Sequence, residues 1–545
     1  MDANITITLA QLNPTVGDID GNARKMLQVW QDHDENSHLV IFPELFLCGY
    51  QPEDLILNHA FLCEIEASIK SIQEKSKDFK SAALIPAPHR KDGKTYNAIY
   101  LIEGGEIQHI QSKHLLPTYS VFDEDRIFAR GTLPSPIEFK GLKLGILICE
   151  DIWFDDIPAH FGRHNIDLML SIHGSPYDET KMSERLRVSK RATELAQAPL
   201  IYLNMIGGQD ELAFDGRSFV MNSFGDIISQ APAFKDHILQ VETAEIQHLA
   251  PIETSEDRFG LIYEALITGL KDYIRKSGFK SVILGLSGGI DSALSAAIAV
   301  DALGKKNVEC VMLPSEFTSK DSLEDAKECA ELLGTSYEII EIKDAVKTFE
   351  KIIPDLKDLA HENMQSRTRG LILMALSNAR GCMLLTTGNK SEMAVGYATI
   401  YGDMNGGWNA IKDIYKTDVY RLAEWRNKKK KVIPERILTK APSAELREDQ
   451  TDQDSLPPYD MLDTILQVLI EHAHLDWSKI TDENLLAKKK LCDENPEIVT
   501  KVAKLLKNSE YKRRQSPPGT KITTCAFTKE RRYPIANSYI NKVKE

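Results

Sequence analysis

Residues 281–304 read SVILGLSGGIDSALSAAIAVDALG. SVILGL is a short apolar run with strand character, and ALSAAIAVDALG has the spacing of a helix. Between them stands GLSGGIDS, residues 285–292. The adjacent Gly288 and Gly289 let the chain turn tightly and let its backbone approach an anion closely. The N–H groups of such a turn, with the positive end of the helix dipole behind them, form a phosphate cradle. Ser287 and Ser292 add hydroxyl donors, and Asp291 adds a carboxylate of the hard oxygen type that Mg²⁺ prefers. A bare SGG is common, whereas the complete SGGxDS between strand and helix is specific. No GxxxxGK[ST] occurs in the chain, which disfavours γ-phosphate transfer on a P-loop.

The neighbouring segments repeat the alternation. LIYEALITGLKDYIRKSG (261–278) is an amphipathic helix, VECVMLPS (308–315) and SYEIIEI (336–342) are strands, and EDAKECAELLG (324–334) is a helix between them. Strands alternating with helices predict a doubly wound parallel sheet over residues 261–545. PIETSEDRFG (251–260) is polar and aperiodic and is read as a linker. Residues 1–250 also alternate as an α/β unit. ITITLAQLN (5–13), HLVIFPE (38–44), SAALIPAP (81–88), KLGILICED (143–151) and DLMLSIHGSP (167–176) are strands. GNARKMLQVWQDHDEN (21–36) and MSERLRVSKRATELAQ (182–197) are helices, and TYNAIYLIEGGEIQHI (95–110) is a hairpin turning at Gly104-Gly105. The acidic, Pro-bearing stretch 440–458 is expected to be an exposed loop. The basic end from Tyr511 onward lacks apolar periodicity.

Composition limits the function classes. The 545 residues carry 66 Lys and Arg against 80 Asp and Glu, a net charge of -14. Such a chain is a poor nucleic-acid or anionic-membrane binder, because phosphate backbones need a basic face. Local Lys, Arg and N–H groups can still hold small anions. No run of about 18 apolar residues occurs, so no membrane span is expected. The eight cysteines have no CxxC pair or Cys/His ligand spacing, so neither a disulfide framework nor a zinc site is expected. A cytoplasmic enzyme, working as a homo-oligomer, is the expectation.

In the front half, Cys149 ends the strand LGILIC, where a side chain projects into the crevice used by α/β proteins for ligands. A nucleophilic thiol needs a base and a group to stabilise an oxyanion. Glu44, at the end of another apolar strand, is a candidate base, and Lys113 is a candidate cation. FPELFLCGY (42–50), KHLLP (113–117) and LICED (147–151) together resemble the nitrilase (carbon–nitrogen hydrolase) family. That resemblance implies a four-layer αββα sandwich over residues 1–250 and a Glu44–Lys113–Cys149 triad. It also implies a second glutamate, Glu124, and Tyr50, Tyr119, Ser175 and Lys181 at the glutamine amide. HGSPYDETK (173–181) departs a little from the family pattern.

In the back half, the SGGxDS loop resembles the ATP pyrophosphatase family, which adenylates an acceptor and releases pyrophosphate. The loop alone does not choose an acceptor. ENMQSRTRG (362–370), TTGNKSEMAVGYATIYGD (386–403), DIYKTDVY (413–420) and YKRRQSPPGTKI (511–522) resemble the NAD synthetase family. The resemblance implies that Gly285, Leu286, Ser287, Gly288, Gly289, Ile290, Asp291, Ser292, Thr387 and Lys416 bind ATP. It places Asn363, Glu392, Asp403 and Lys512 at deamido-NAD, and Asp291 with Glu392 at Mg²⁺. A glutaminase joined to an adenylating unit is chemically coherent: one site supplies the ammonia that the other consumes. Glutamine, ATP and deamido-NAD are therefore the expected substrates. An amidotransferase acting on another carboxylate, and a ligand-sensing protein built on inactive domains, are the competing readings.

Overall fold

The computed structural model describes residues 4–253, 257–448 and 450–540. The chain divides into two compact units, Met1–Asp257 and Arg258–Glu545.

The first unit holds two six-stranded sheets. One runs β14-β1-β2-β3-β4-β5 and the other β13-β12-β9-β8-β7-β6. The strands are β1 (Thr6–Gln11), β2 (Leu39–Ile41), β3 (Ala82–Lys91), β4 (Lys94–Glu103), β5 (Glu106–Ser112), β6 (Ile137–Phe139) and β7 (Leu142–Ile148). They continue with β8 (Leu168–His173), β9 (Leu200–Asn204), β10 (Ile206–Gln209), β11 (Leu212–Asp215), β12 (Phe219–Met221), β13 (Ile227–Gln230) and β14 (His237–Glu242). β10 and β11 pair as a separate two-stranded ribbon. The side chains of Ile7, Leu9, Leu39 and Ile41 from the first sheet share one buried cluster with Leu144, Ile146, Leu170 and Ile201 from the second. The two sheets therefore pack face to face. Helices α1 (Ile19–His33) and α2 (His59–Lys75) cover the outer face of the first sheet through Met26, Trp30, Ile65 and Ile69. Helices α3 (Asp156–Arg163) and α4 (Lys181–Ala196) cover the second through Ile157, Phe161, Val188 and Ala192. The order helix, sheet, sheet, helix is the αββα sandwich.

The second unit opens with α5 (Arg258–Lys276), so Arg258–Gly260 of the stretch read as linker belong to a helix. Residues 254–256 lie outside the described residues. Strands β15 (Val282–Gly285), β16 (Val308–Met312), β17 (Ser336–Ile339), β18 (Met383–Thr386) and β19 (Trp408–Asn409) form one sheet in the order β17-β16-β15-β18-β19. Every pair in it is parallel. The order reverses between β15 and β18, the switch point at which open α/β sheets place their ligands. The helices are α6 (Ile290–Leu303), α7 (Lys320–Leu333), α8 (Lys343–Ile352), α9 (Asp358–Arg380), α10 (Lys390–Val395) and α11 (Lys416–Lys429). They continue with α12 (Glu435–Thr439), α13 (Tyr459–Ile470), α14 (Glu483–Glu494), α15 (Pro496–Asn508) and α16 (Glu510–Arg513). Leu462, Leu466 and Leu469 of α13 pack with Val502 and Leu506 of α15 in a core of their own. Among the described residues no helix is long and apolar enough to cross a membrane.

Candidate active sites

Cys149 follows β7 directly and opens a tight helical turn, residues 149–152. Its backbone is left-handed, with φ 47°. That conformation is uncommon for a non-glycine residue and costs free energy that the surrounding structure must supply. Around it lies a buried polar cluster. Lys113, one residue beyond β5, places its Nζ 2.7 Å from Glu44 Oε1. The same Nζ lies 3.0 Å from Glu124 Oε1 and 2.8 Å from Oε2. Two further donors hold Glu44: Asn97 Nδ2 on β4 at 2.7 Å and the N–H of Gly174, after β8, at 2.9 Å. Tyr50 donates its hydroxyl to Glu124 at 3.1 Å.

Charge and burial set the resting protonation states. Burial disfavours a charge on Lys113, yet Glu124 and Glu44 outweigh it and hold its pKa well above the usual lysine value. Burial raises the pKa of Glu124, and Lys113 pulls the other way. The Cys149 thiol is pushed well above its ordinary pKa by burial first and by Glu44 second, while Lys113 works against both. Cys149 therefore rests as a thiol, and a base must take its proton as it attacks. Glu44 is the carboxylate held ready beside it.

The residues expected at the amide lie around the same cluster. Tyr119 is about half exposed and donates its hydroxyl to both oxygens of Glu150, at 3.0 Å each. Lys181 opens α4 with its Nζ 4.3 Å from the centre of the Trp153 ring, and burial lowers its pKa. Ser175 follows Gly174 in a turn clamped by the buried Arg185. That guanidinium donates to Ser175 Oγ (3.2 Å), to the carbonyls of Ser175 (2.8 Å) and Pro176 (3.1 Å), and to Asp215 (2.8 Å). Nothing in the sequence pattern marks Asn97, Gly174 or Arg185 as functional. Glu150 carries one signal, its place next to Cys149.

In the second unit a cavity of about 440 Å³ opens at the C-terminal ends of β15, β16 and β18. Gly285 through Ser292 form one wall, and Asn363, Thr387, Glu392, Asp403, Lys416 and Lys512 line the rest. Every residue expected at ATP or deamido-NAD thus faces one cavity. Gly288 is left-handed, φ +80°, and a Cβ there would lie 2.3 Å from the carbonyl oxygen of Ser322. Helix α6 starts at Ile290, three residues earlier than the sequence reading, so its N-terminus faces the cavity.

A charged cluster occupies the base of this cavity. Lys416 Nζ donates to Asp291 and, at 3.0 Å, to Glu392 Oε1. Asn389 caps α10 by accepting the N–H of Glu392 and donates to Asp291 Oδ1 at 2.9 Å. Burial opposes the charge on Lys416, but Asp291 and Glu392 outweigh it and raise its pKa. Burial raises the pKa of Glu392, against Lys416. Asp403 accepts the N–H of Thr399 at 2.6 Å, Asn363 accepts from the Thr399 hydroxyl at 2.8 Å, and Lys512 donates to the carbonyls of Gly396 and Ala398 at 2.7 Å each.

Residues 262–516 match the NAD synthase family, and residues 6–249 match the carbon-nitrogen hydrolase family. A glutamine-dependent NAD(+) synthetase of Aquifex aeolicus is 42% identical, over 98% of this chain and 100% of its own. This chain belongs to the glutamine-dependent NAD(+) synthetase family. The relative from Rhodobacter capsulatus is 43% identical, with 99% of each chain covered. The structure of the Acinetobacter baumannii glutamine-dependent NAD(+) synthetase, solved with adenosine diphosphate, superimposes with a TM-score of 0.77 at 38% identity. It covers 99% of this chain and 100% of its own.

One expectation changes in this member of the synthetase family. Stretch 440–458 is not simply an exposed loop: Lys440, Ser443, Glu445 and Leu446 line the cavity. Glu445 accepts from the hydroxyls of Ser319 (2.8 Å) and Ser322 (2.7 Å) and from Lys440 Nζ (3.1 Å). The basic end is also packed, for Thr520–Thr523 and Arg531 are buried. Asp413 accepts the N–H groups of Ile522 and Thr523 at 2.7 Å each.

Proposed function

We propose that this chain makes NAD by hydrolysing glutamine at Cys149 and using the ammonia to amidate an adenylated deamido-NAD at the second cavity. In the first unit Glu44 takes the thiol proton as Sγ attacks the side-chain amide carbon of glutamine. Lys113 faces the oxygen that becomes negative. Glu44 returns that proton to the amide nitrogen as the tetrahedral adduct collapses, so ammonia leaves and a glutamyl thioester remains. Glu44 then deprotonates the water that attacks the thioester and passes the proton to Sγ, giving glutamate and the free thiol. Tyr50, Tyr119, Glu124, Ser175 and Lys181 surround the substrate.

In the second unit the N–H groups of residues 285–292 cradle the ATP phosphates, with Thr387 beside them. A deamido-NAD carboxylate oxygen attacks the α-phosphate, and pyrophosphate leaves. Ammonia then attacks the activated carbonyl and AMP departs. Lys416 steadies the phosphates, while Asn363, Asp403 and Lys512 hold deamido-NAD. Asp291 and Glu392 both lie on Lys416 Nζ and carry hard oxygen donors that suit Mg²⁺; held there with the substrate phosphates, the ion would neutralise charge on the departing pyrophosphate. Among the described residues no group of three or more His, Cys, Asp or Glu is arranged to hold a metal. A cytoplasmic homo-oligomer is the working form in this reading.

One observation carries the proposal. Glu44, Lys113 and Glu124 meet beside a left-handed Cys149 in one unit, while the SGGxDS loop and six distant side chains meet in one cavity of the other. The test is Cys149→Ala with each nitrogen source. NAD formation from glutamine should vanish while formation from ammonium salts persists. Loss of both in a folded protein would break the division of labour.

A further inference from the structure

We infer that Asp151 is a positioning residue for the cysteine site, joining the backbone beside Lys113 to the backbone beside Cys149. The inference rests on the reading of Glu44, Lys113 and Cys149 as the glutaminase groups.

Asp151 is fully buried. Its Oδ1 accepts the backbone N–H of Leu115 at 2.8 Å and of His114 at 3.2 Å. Its Oδ2 accepts the backbone N–H of Ile148 at 3.2 Å. One carboxylate thus grips the chain just after Lys113 and just before Cys149, two segments that leave different sheets, β5 and β7. Burial raises the Asp151 pKa to about 6, against the pull of Leu115 N–H and Lys113. Above that pH it has both oxygens free to accept.

The two ends of the staple do different things. The bond to Ile148 closes the turn that holds Cys149 at positive φ. Left-handed backbone in a non-glycine residue costs on the order of 1–3 kcal/mol and persists only where surrounding structure enforces it. The bonds to His114 and Leu115 fix the stem from which Lys113 reaches Glu44. In the tetrahedral intermediate Sγ is bonded to the substrate carbon while Nζ faces the oxyanion, so the Sγ to Nζ separation must match that intermediate. Asp151 touches neither atom. It sets the distance between their backbones.

An amide in place of the carboxylate tests this, because its NH₂ cannot accept and opposes a backbone N–H at one end of the staple. In full-length Asp151→Asn, kcat for glutamine hydrolysis should fall by about one to two orders of magnitude with KM little changed, as for a misplacement near 1 Å. NAD formation from ammonium salts should stay at the parental rate. Asp151→Glu keeps the charge and both acceptors but moves them out by one methylene, and should show the same kcat-selective loss. A parental kcat in either variant overturns the inference. So does an equal loss from ammonium salts, or failure of both variants to fold, which would make Asp151 a stability residue. Cys149→Ala separates the two levels. If that variant still hydrolyses glutamine, the triad itself is misread. If it is inactive while Asp151→Asn is unaffected, only the positioning role falls.

Discussion

Gly288→Ala is the sharpest test of the phosphate loop. The native residue sits at φ +80°, where an added Cβ costs about 1–2 kcal/mol on conformational grounds alone. The new methyl would also lie 2.3 Å from the carbonyl oxygen of Ser322, 2.9 Å from its Cα and 3.0 Å from its carbonyl carbon. All three atoms are backbone in the first turn of α7, so no side-chain rotation relieves the contact. The loop must instead withdraw by about 1 Å, a displacement that can cost about 100-fold when reacting groups are held by position. NAD formation from ammonium salts, ATP and deamido-NAD should therefore fall by about 100-fold. Glutamine hydrolysis measured without ATP should be unaffected. A variant that kept near-parental synthesis would refute close approach of the phosphates to this loop.

Other perturbations probe the surroundings. Lys416→Gln strips Asp291 and Glu392 of their shared cation, and synthesis from both glutamine and ammonium should be lost; persistent synthesis from ammonium would remove Lys416 from the adenylation step. Arg185→Met leaves the buried Asp215 without its partner and should destabilise the first unit by about 3–5 kcal/mol in urea titrations. A loss under about 1 kcal/mol, the value of a surface pair, would mean that this clamp is dispensable. His173 is buried, and burial first, then Arg185, Lys113 and Lys181, hold its pKa well below the usual value. The folded chain keeps it neutral while the unfolded chain takes up a proton below about pH 6.5, so stability falls as pH drops, by up to about 1.4 kcal/mol per unit. His173→Gln should flatten that slope between about pH 6.5 and 5; an unchanged slope would assign the acid sensitivity to other groups.

The parts legible in the sequence are those whose chemistry is local. SGGIDS between a strand and a helix, and Cys149 at the end of LGILIC, carry their structural context in the neighbouring residues. The alternation predicts the parallel sheet from the runs that become β15, β16 and β17, of which β15 and β16 are almost wholly buried, whereas the short β18 and β19 carry no such signal. The groups that went unread act across long separations. Asn97 reaches Glu44 over 53 positions, Gly174 over 130, and Asn389 reaches Asp291 over 98. An Asn or a Gly has no periodicity to mark it. Stretch 440–458 departs from its expected exposure for a related reason. Its acidic composition points to water, but Glu445 is matched by Lys440 nearby and by Ser319 and Ser322 more than 120 positions away. The basic end shows no apolar stripe because its packing is polar there: the N–H groups of Ile522 and Thr523 and the Thr523 hydroxyl donate to the buried Asp413.

The pairing of β1 with β14 also bears on how the chain is made. Thr6 lies opposite Glu242, and the Ile5 N–H donates to the Thr243 hydroxyl across 238 positions. At translation speeds of about 5–20 residues per second, β1 waits about 10–50 s on the ribosome before its outer neighbour emerges. Throughout that interval the ladder groups of an apolar strand lie open to any other nascent chain. Faster elongation through the codons between β1 and β14, or a chaperone that shields β1, should therefore raise the soluble yield without altering the folded enzyme.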